Sequence, residues 1–74
     1  MSVSLSGTIE RREMGTGAWA LVADDGQTYE IYEGAPSDLL KPGQKVKVNG
    51  RIRDDVMTLA AIGPVLQVDG FELN

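Results

Sequence analysis

The chain has no cysteine and no histidine. The first absence excludes disulfides, and the two together exclude a Cys/His zinc site. The missing histidine also removes the commonest acid–base catalyst. Aromatic residues are few, one Trp, two Tyr and one Phe among 74 residues. No apolar run approaches the roughly 20 residues that cross a membrane as a helix. Met1 to Gly7 alternates polar and apolar types, with no basic start and no apolar stretch, which is not a signal-peptide pattern. These absences read as a soluble, cytoplasmic chain, one domain over residues 1–74, with no cofactor, no metal and no membrane contact. A chain this short buries only about 60% of its unfolded surface, so nearly every strand must feed the core.

What is present is alternation. Val3, Leu5, Gly7 and Ile9 alternate with Ser4, Ser6, Thr8 and Glu10, the period of a half-buried strand. Gly7, on the apolar face, marks a bulge or a sharp bend. Arg11 to Gly17 reads as a polar loop containing Gly15 and Gly17. A second strand runs from Ala18 to Ala23 and a third from Gln27 to Glu33. Their register depends on the turn between them. A two-residue Asp25-Gly26 turn pairs Val22 with Tyr29 and leaves Trp19 and Leu21 facing water. A three-residue Asp24-Asp25-Gly26 loop pairs Leu21 with Tyr29 and Trp19 with Ile31. The second option gathers the large apolar residues on one face and puts Gly26 where such loops need a left-handed residue. It leaves Ala18, Ala20, Thr28, Glu30 and Tyr32 facing out.

Gly34 to Gly43 breaks the pattern. It allows one short helical turn from Ser37 to Leu40, with Ser37 as its cap, before a Pro42-Gly43 turn. A fourth strand covers Gln44 to Arg53, with Val46, Val48, Gly50 and Ile52 on one face. An Asp54-Asp55 turn then predicts a fifth strand from Val56 to Ile62. It pairs Ile52 with Met57, Gly50 with Leu59 and Val48 with Ala61. Val65 to Leu73 reads as an extended tail, with Asp69-Gly70 as a turn or bulge. The implied core is Val3, Leu5, Ile9, Trp19, Leu21, Tyr29, Ile31, Val46, Val48, Ile52, Met57 and Leu59.

Three strands, a short irregular link and two more strands make an all-β fold, a small five-stranded barrel of the oligonucleotide/oligosaccharide-binding (OB) type. An SH3-like barrel is the alternative. The segments Trp19-Ala20-Leu21-Val22-Ala23-Asp24-Asp25-Gly26-Gln27-Thr28-Tyr29-Glu30-Ile31 and Leu40-Lys41-Pro42-Gly43-Gln44-Lys45-Val46-Lys47-Val48-Asn49-Gly50-Arg51-Ile52 carry a resemblance. They are similar to the hairpin and the L-x-x-G-x-x-V-x-V-x-G phrase of small bacterial OB-fold proteins of unknown function. The resemblance spans roughly residues 5 to 62. It implies a fold and brings no catalytic residues with it.

Charge is unevenly distributed. Net charge is −4, yet Lys41, Lys45, Lys47, Arg51 and Arg53 fall in one stretch without an acid. The other residues carry two basic side chains and all eleven acids, a balance of −9. Lys45, Lys47, Arg51 and Arg53 share one face of the fourth strand, successive positions roughly 6.5–7 Å apart. That strip reads either as an anion-binding surface or as a solvated face paired with acids such as Glu10. Arg11 and Arg12 occupy the first loop, a common ligand position in OB folds. Tyr32 is the aromatic that faces out, with Glu30 and Glu33 near it, and carboxylates repel phosphate. Asp24-Asp25 and Asp54-Asp55 read as turn residues rather than a cation site. Val56, Ala60 and Ile62, with Pro64, Val65 and Leu66, suggest an outer apolar patch, covered by the tail or used for association.

No nucleophile elbow, phosphate-binding loop or dinucleotide motif is present. The sequence therefore points away from an enzyme and toward a binding module. The leading reading is a protein-interaction or accessory subunit, self-association included. The alternatives are weak single-stranded nucleic-acid binding along the basic strip, and small-ligand or oligosaccharide binding near the first loop, Trp19 and Tyr32.

Overall fold

The computed structural model describes residues 2–13, 17–58 and 62–74. Its five strands are β1 (Ser2–Arg12), β2 (Ala18–Ala23), β3 (Thr28–Ile31), β4 (Lys45–Arg53) and β5 (Val65–Leu73). They form one sheet in the order β1-β2-β3-β5-β4, with β4 paired back to β1. The all-β, five-stranded, barrel-like fold expected from the alternation is the fold observed.

β1 serves two neighbours. Ser2 to Thr8 pair with β4, and Gly7 to Arg12 pair with β2. Gly7 belongs to both ladders, opposite Ala23 on one side and Val46 on the other. A Cβ there would collide with the Val22 carbonyl oxygen, so only glycine lets the two backbones approach this closely. The β2–β3 register is the one the three-residue loop predicts, with Leu21 opposite Tyr29. Gly26 sits at φ 92°, the left-handed conformation that loop needs. Asp25 takes the turn role: its Oδ1 accepts the Gln27 N–H at 2.8 Å.

The fifth strand is corrected. Residues 54–58 are turn and irregular structure, and β4 pairs with Val65–Leu73 instead. Val48 lies opposite Phe71, Gly50 opposite Val68 and Ile52 opposite Leu66. The partners expected at Leu59 and Ala61 lie outside the described residues. Met57 is 98% exposed and Ile52 36% exposed, so neither belongs to the core. The anticipated bulge is present: Asn49 pairs with Gly70 and Gly50 with Val68, leaving Asp69 as the extra residue. A Cβ on Gly50 would meet the Gln67 carbonyl oxygen. β5 then reaches β3 in parallel through only two pairs, Glu30 with Val65 and Ile31 with Leu66.

The core cluster is Ile9, Leu21, Ile31, Leu39, Val46, Val48 and Leu66, with Val3, Leu5, Trp19, Tyr29, Val68 and Phe71 packed against it. Leu39 and Leu66 are additions to the expected set. The expected helical turn at Ser37–Leu40 is a run of turns, with Leu39 N–H on Pro36 C=O and Leu40 N–H on Ser37 C=O. Its role is to carry Leu39, fully buried, into the core. The outer apolar patch is also corrected, because Val65 and Leu66 are buried in β5. Ala60 lies outside the described residues.

Packing sets the outcome of three substitutions. Gly7→Ala should lower unfolding free energy by about 1–3 kcal/mol through overpacking. Gly70→Ala, whose Cβ would meet nothing, should stay within about 0.5 kcal/mol of the parent. Urea unfolding at unchanged m-value reads both. Leu39→Ala should cost about 2–5 kcal/mol by the same measurement, as expected for an emptied core position.

Candidate functional site

Ala20 and Glu30 lie directly opposite each other on the outer side of β2 and β3. Sequence alternation expects both to face water, yet Ala20 is fully buried and Glu30 is 6% exposed. The reason is the connection from β4 to β5, whose described residues Thr58 and Ile62 to Pro64 lie against this face. Thr58 Oγ1 donates to Glu30 Oε1 at 2.6 Å, and the Ile62 N–H makes a long 3.5 Å contact to the same oxygen. The Glu30 N–H in turn donates to the Pro64 carbonyl at 2.8 Å. At Gly63 a Cβ would collide with the Thr28 carbonyl oxygen, so the end of the connection lies tight against β3.

Between this strap and the sheet lies an open cleft of about 480 Å³. Trp19, Glu30, Ile31 and Tyr32 form its floor and one wall, and Val56, Met57 and Thr58 form the other. Gly17, Ala18 and Glu33 complete it. Each aromatic carries an arginine. The Arg11 guanidinium stands 5.4 Å from the Trp19 ring centroid, and that of Arg53 stands 5.5 Å from Tyr32. Gly17, at φ 97°, lies so close to Arg11 that a Cβ there would strike the guanidinium.

Arg53 is the hub of the second pair. Its Nε and one terminal nitrogen donate to the two oxygens of Asp55, both at 2.9 Å, a fork that suits a carboxylate. Its other terminal nitrogen donates to Gln67 Oε1. This fork, together with a local backbone hydrogen bond, lowers the Asp55 carboxyl to about 2. Asp55 likewise raises the Arg53 guanidinium above its ordinary value.

The other anticipated residues are scattered. Arg11 and Arg12 end β1 rather than lying in the loop. Arg12 pairs with Glu10 at 3.2 Å, and Arg11 lies 3.9 Å from Glu13. On β4, Arg51 pairs with Asp69 at 3.4 Å. Lys45 and Lys47 are exposed, and Lys47 lies across from Glu72 in the ladder. Trp19 is half-buried, so it serves the core and the cleft together. Tyr32 lines the cleft, and Arg11 and Arg53 stand over its two rings, whereas Lys45, Lys47, Arg51 and Arg12 neither line it nor stand over those rings. Glu30 as a buried acceptor and the Val56–Thr58 wall escape sequence reasoning, because both depend on where the strap lands.

Among the described residues no group of His, Cys, Asp and Glu is arranged to hold a metal. No helix there is long and apolar enough to cross a membrane. Compared with protein-family models, curated proteins and solved structures, the chain gives no match.

The Arg53–Asp55 fork makes a prediction. The folded carboxyl lies near 2, below the unfolded value of about 3.9. Its stabilising contribution is therefore complete above about pH 4 and lost as pH falls through 2. A carboxyl NMR titration should place the Asp55 midpoint near 2, and in R53M that midpoint should return toward about 3.9. An unshifted midpoint in the parent protein would show that the fork does not form in solution.

Proposed function

We propose that this chain is a non-enzymatic binding module of the OB type, and that it takes a polypeptide partner in the β2–β3 cleft. The cyclic pairing of β1 with both β2 and β4, and the parallel contact of β3 with β5, support the OB reading over an SH3-like barrel. In OB folds the face of the second and third strands, between the first loop and the last, is the usual ligand surface. The observation that carries the proposal is the cleft at that place, with two aromatics in its wall and a volume within the range of ligand sites.

The partner class follows from charge. Arg11 and Arg53 are matched by Glu13 and Asp55, and Glu30 and Glu33 are added, so the cleft and its rim balance at −2. A phosphate backbone needs the opposite sign. The basic strip expected to serve nucleic acid is partly used, since Arg51 and Arg53 hold Asp69 and Asp55. Exposed Met57 offers the flexible apolar contact common at protein-binding surfaces.

The test is a random-peptide display selection against the immobilised chain, followed by amide NMR titration of the selected peptides. Shifts should cluster on Trp19, on Glu30 to Glu33 and on Val56 to Thr58. An oligothymidine added at low salt should leave these amides unmoved. Shifts confined to β4, or an oligothymidine that binds where no peptide does, would overturn the proposal.

A further inference from the structure

We infer that the cleft receives a basic side chain of its polypeptide partner, held by the Glu30 and Glu33 carboxylates beside the rings of Trp19 and Tyr32. This inference rests on the preceding reading of the cleft as the binding site. The first observation is Glu30 itself. It is 6% exposed, and both of its recorded hydrogen bonds fall on Oε1. Among the described residues Oε2 has no partner, while the side chain lines the cleft. Its Oε1 donors are a hydroxyl and an amide, and no cation among the described residues forms an ion pair with it. A buried carboxylate is best satisfied by a partner that brings both charge and N–H donors.

The second observation is the arrangement of resident charges. The two arginines at the aromatic rings are each matched by an acid of their own, Arg11 by Glu13 and Arg53 by Asp55. Glu30 and Glu33 are left over, both in the cleft lining, and neither forms an ion pair among the described residues. The rings also show that they attract cations, since each already carries a guanidinium at 5.4 or 5.5 Å.

The third observation separates a polypeptide from a free amine. Ala18, Ile31, Val56 and Met57 give the walls an apolar lining, and Met57 stands 98% exposed at the rim. Such walls suit the methylene stem of Lys or Arg and the residues flanking it. The ammonium or guanidinium then reaches the buried Glu30 carboxylate and the exposed Glu33 carboxylate.

The experiment uses peptides selected by display on the intact chain. The selected sequences should share one Lys or Arg, and replacing it with norleucine or citrulline should weaken binding at least about tenfold, the change that loss of a charge-assisted hydrogen bond produces. Glu33→Gln and Glu30→Gln should each weaken the basic peptide severalfold while leaving the norleucine or citrulline form unchanged. Glu30→Gln keeps an acceptor for Thr58, and unchanged thermal unfolding shows that the strap is intact. Glu33 is exposed, so its variant carries the test if Glu30→Gln unfolds. Selected peptides that bind in the cleft without a shared basic residue would overturn this inference and leave the binding module standing. No peptide shifts in the cleft would overturn both. Spermidine binding as tightly as the peptides would overturn the choice of a polypeptide.

Discussion

The close approach of β1 and β2 at Gly7 sets the terms for everything built on the sheet. One strand must form a ladder with β4 over its first half and with β2 over its second. At the changeover the backbone has neighbours on both sides, and the Val22 carbonyl occupies the space where a side chain would begin. A strand with a Cβ there would be pushed off β2. The sheet would then open between its first two strands, and Ile9 and Leu21, both fully buried and directly opposite, would lose each other. Closure on the far side is weaker, since β3 and β5 share only two pairs. Leu39 strengthens the core by sending an apolar side chain in from the β3–β4 link. The barrel is thus held firmly where β1 is shared and by plugging where the ladder is short.

The cleft is a consequence of how the outer side of that sheet is covered. β2 and β3 present Ala20 and Glu30 outward, and the connection that leaves β4 after Arg53 enters β5 at Val65, opposite Arg53 and beside Glu30. The described residues of the connection are pinned to the outer face. Arg53 holds its start through Asp55, Glu30 accepts from Thr58 in its middle, and Pro64 accepts the Glu30 N–H at its end. A wall fixed at several points costs little further order when something binds beside it. Arg53 extends this fixing to the floor, because it also faces Tyr32 and hydrogen-bonds Gln67 of β5. One side chain thereby ties the strap, β5 and an aromatic of the cleft together.

Alternation and turn chemistry make much of this legible in the sequence. The periods of β1, β2 and β4, the Asp24-Asp25-Gly26 register and the bulge at Asp69 all follow from rules that act within a few residues. The fifth strand does not. Val56 to Ile62 follows a good turn pair and carries apolar residues, so a local rule prefers it to Val65–Leu73. The choice is made by distant needs: Ala20 and Glu30 require a cover, and Leu66 fits the core opposite Ile31 and Ile52. The same distance hides the site. Glu30 reads as an outward carboxylate until the strap that buries it is placed. Arg11, Trp19, Tyr32 and Arg53 are each picked out by the sequence, whereas their pairing, Arg11 on Trp19 and Arg53 on Tyr32, emerges only from the folded arrangement.

The fold divides the basic run of β4. Its four outward cations look equivalent along the strand, but the folded chain treats them differently. Arg51 and Arg53 are tied to Asp69 and Asp55, with planar guanidiniums suited to that role. Lys45 and Lys47 stay exposed, strongly hydrated point charges, with Glu72 across the ladder from Lys47. Exposed pairs of this kind contribute at most about 1 kcal/mol each, so stability alone is a weak reason for the run. Position explains more. Arg53 stands where the strip meets the cleft, and by satisfying Asp55 it leaves the cleft's remaining acids without a cation. Had Arg53 turned to Glu30 instead, Glu30 would hold a cation and Asp55, at the start of the strap, would lose its own. The division of the arginines between turn and cleft is therefore what keeps an acidic site open beside a basic strand.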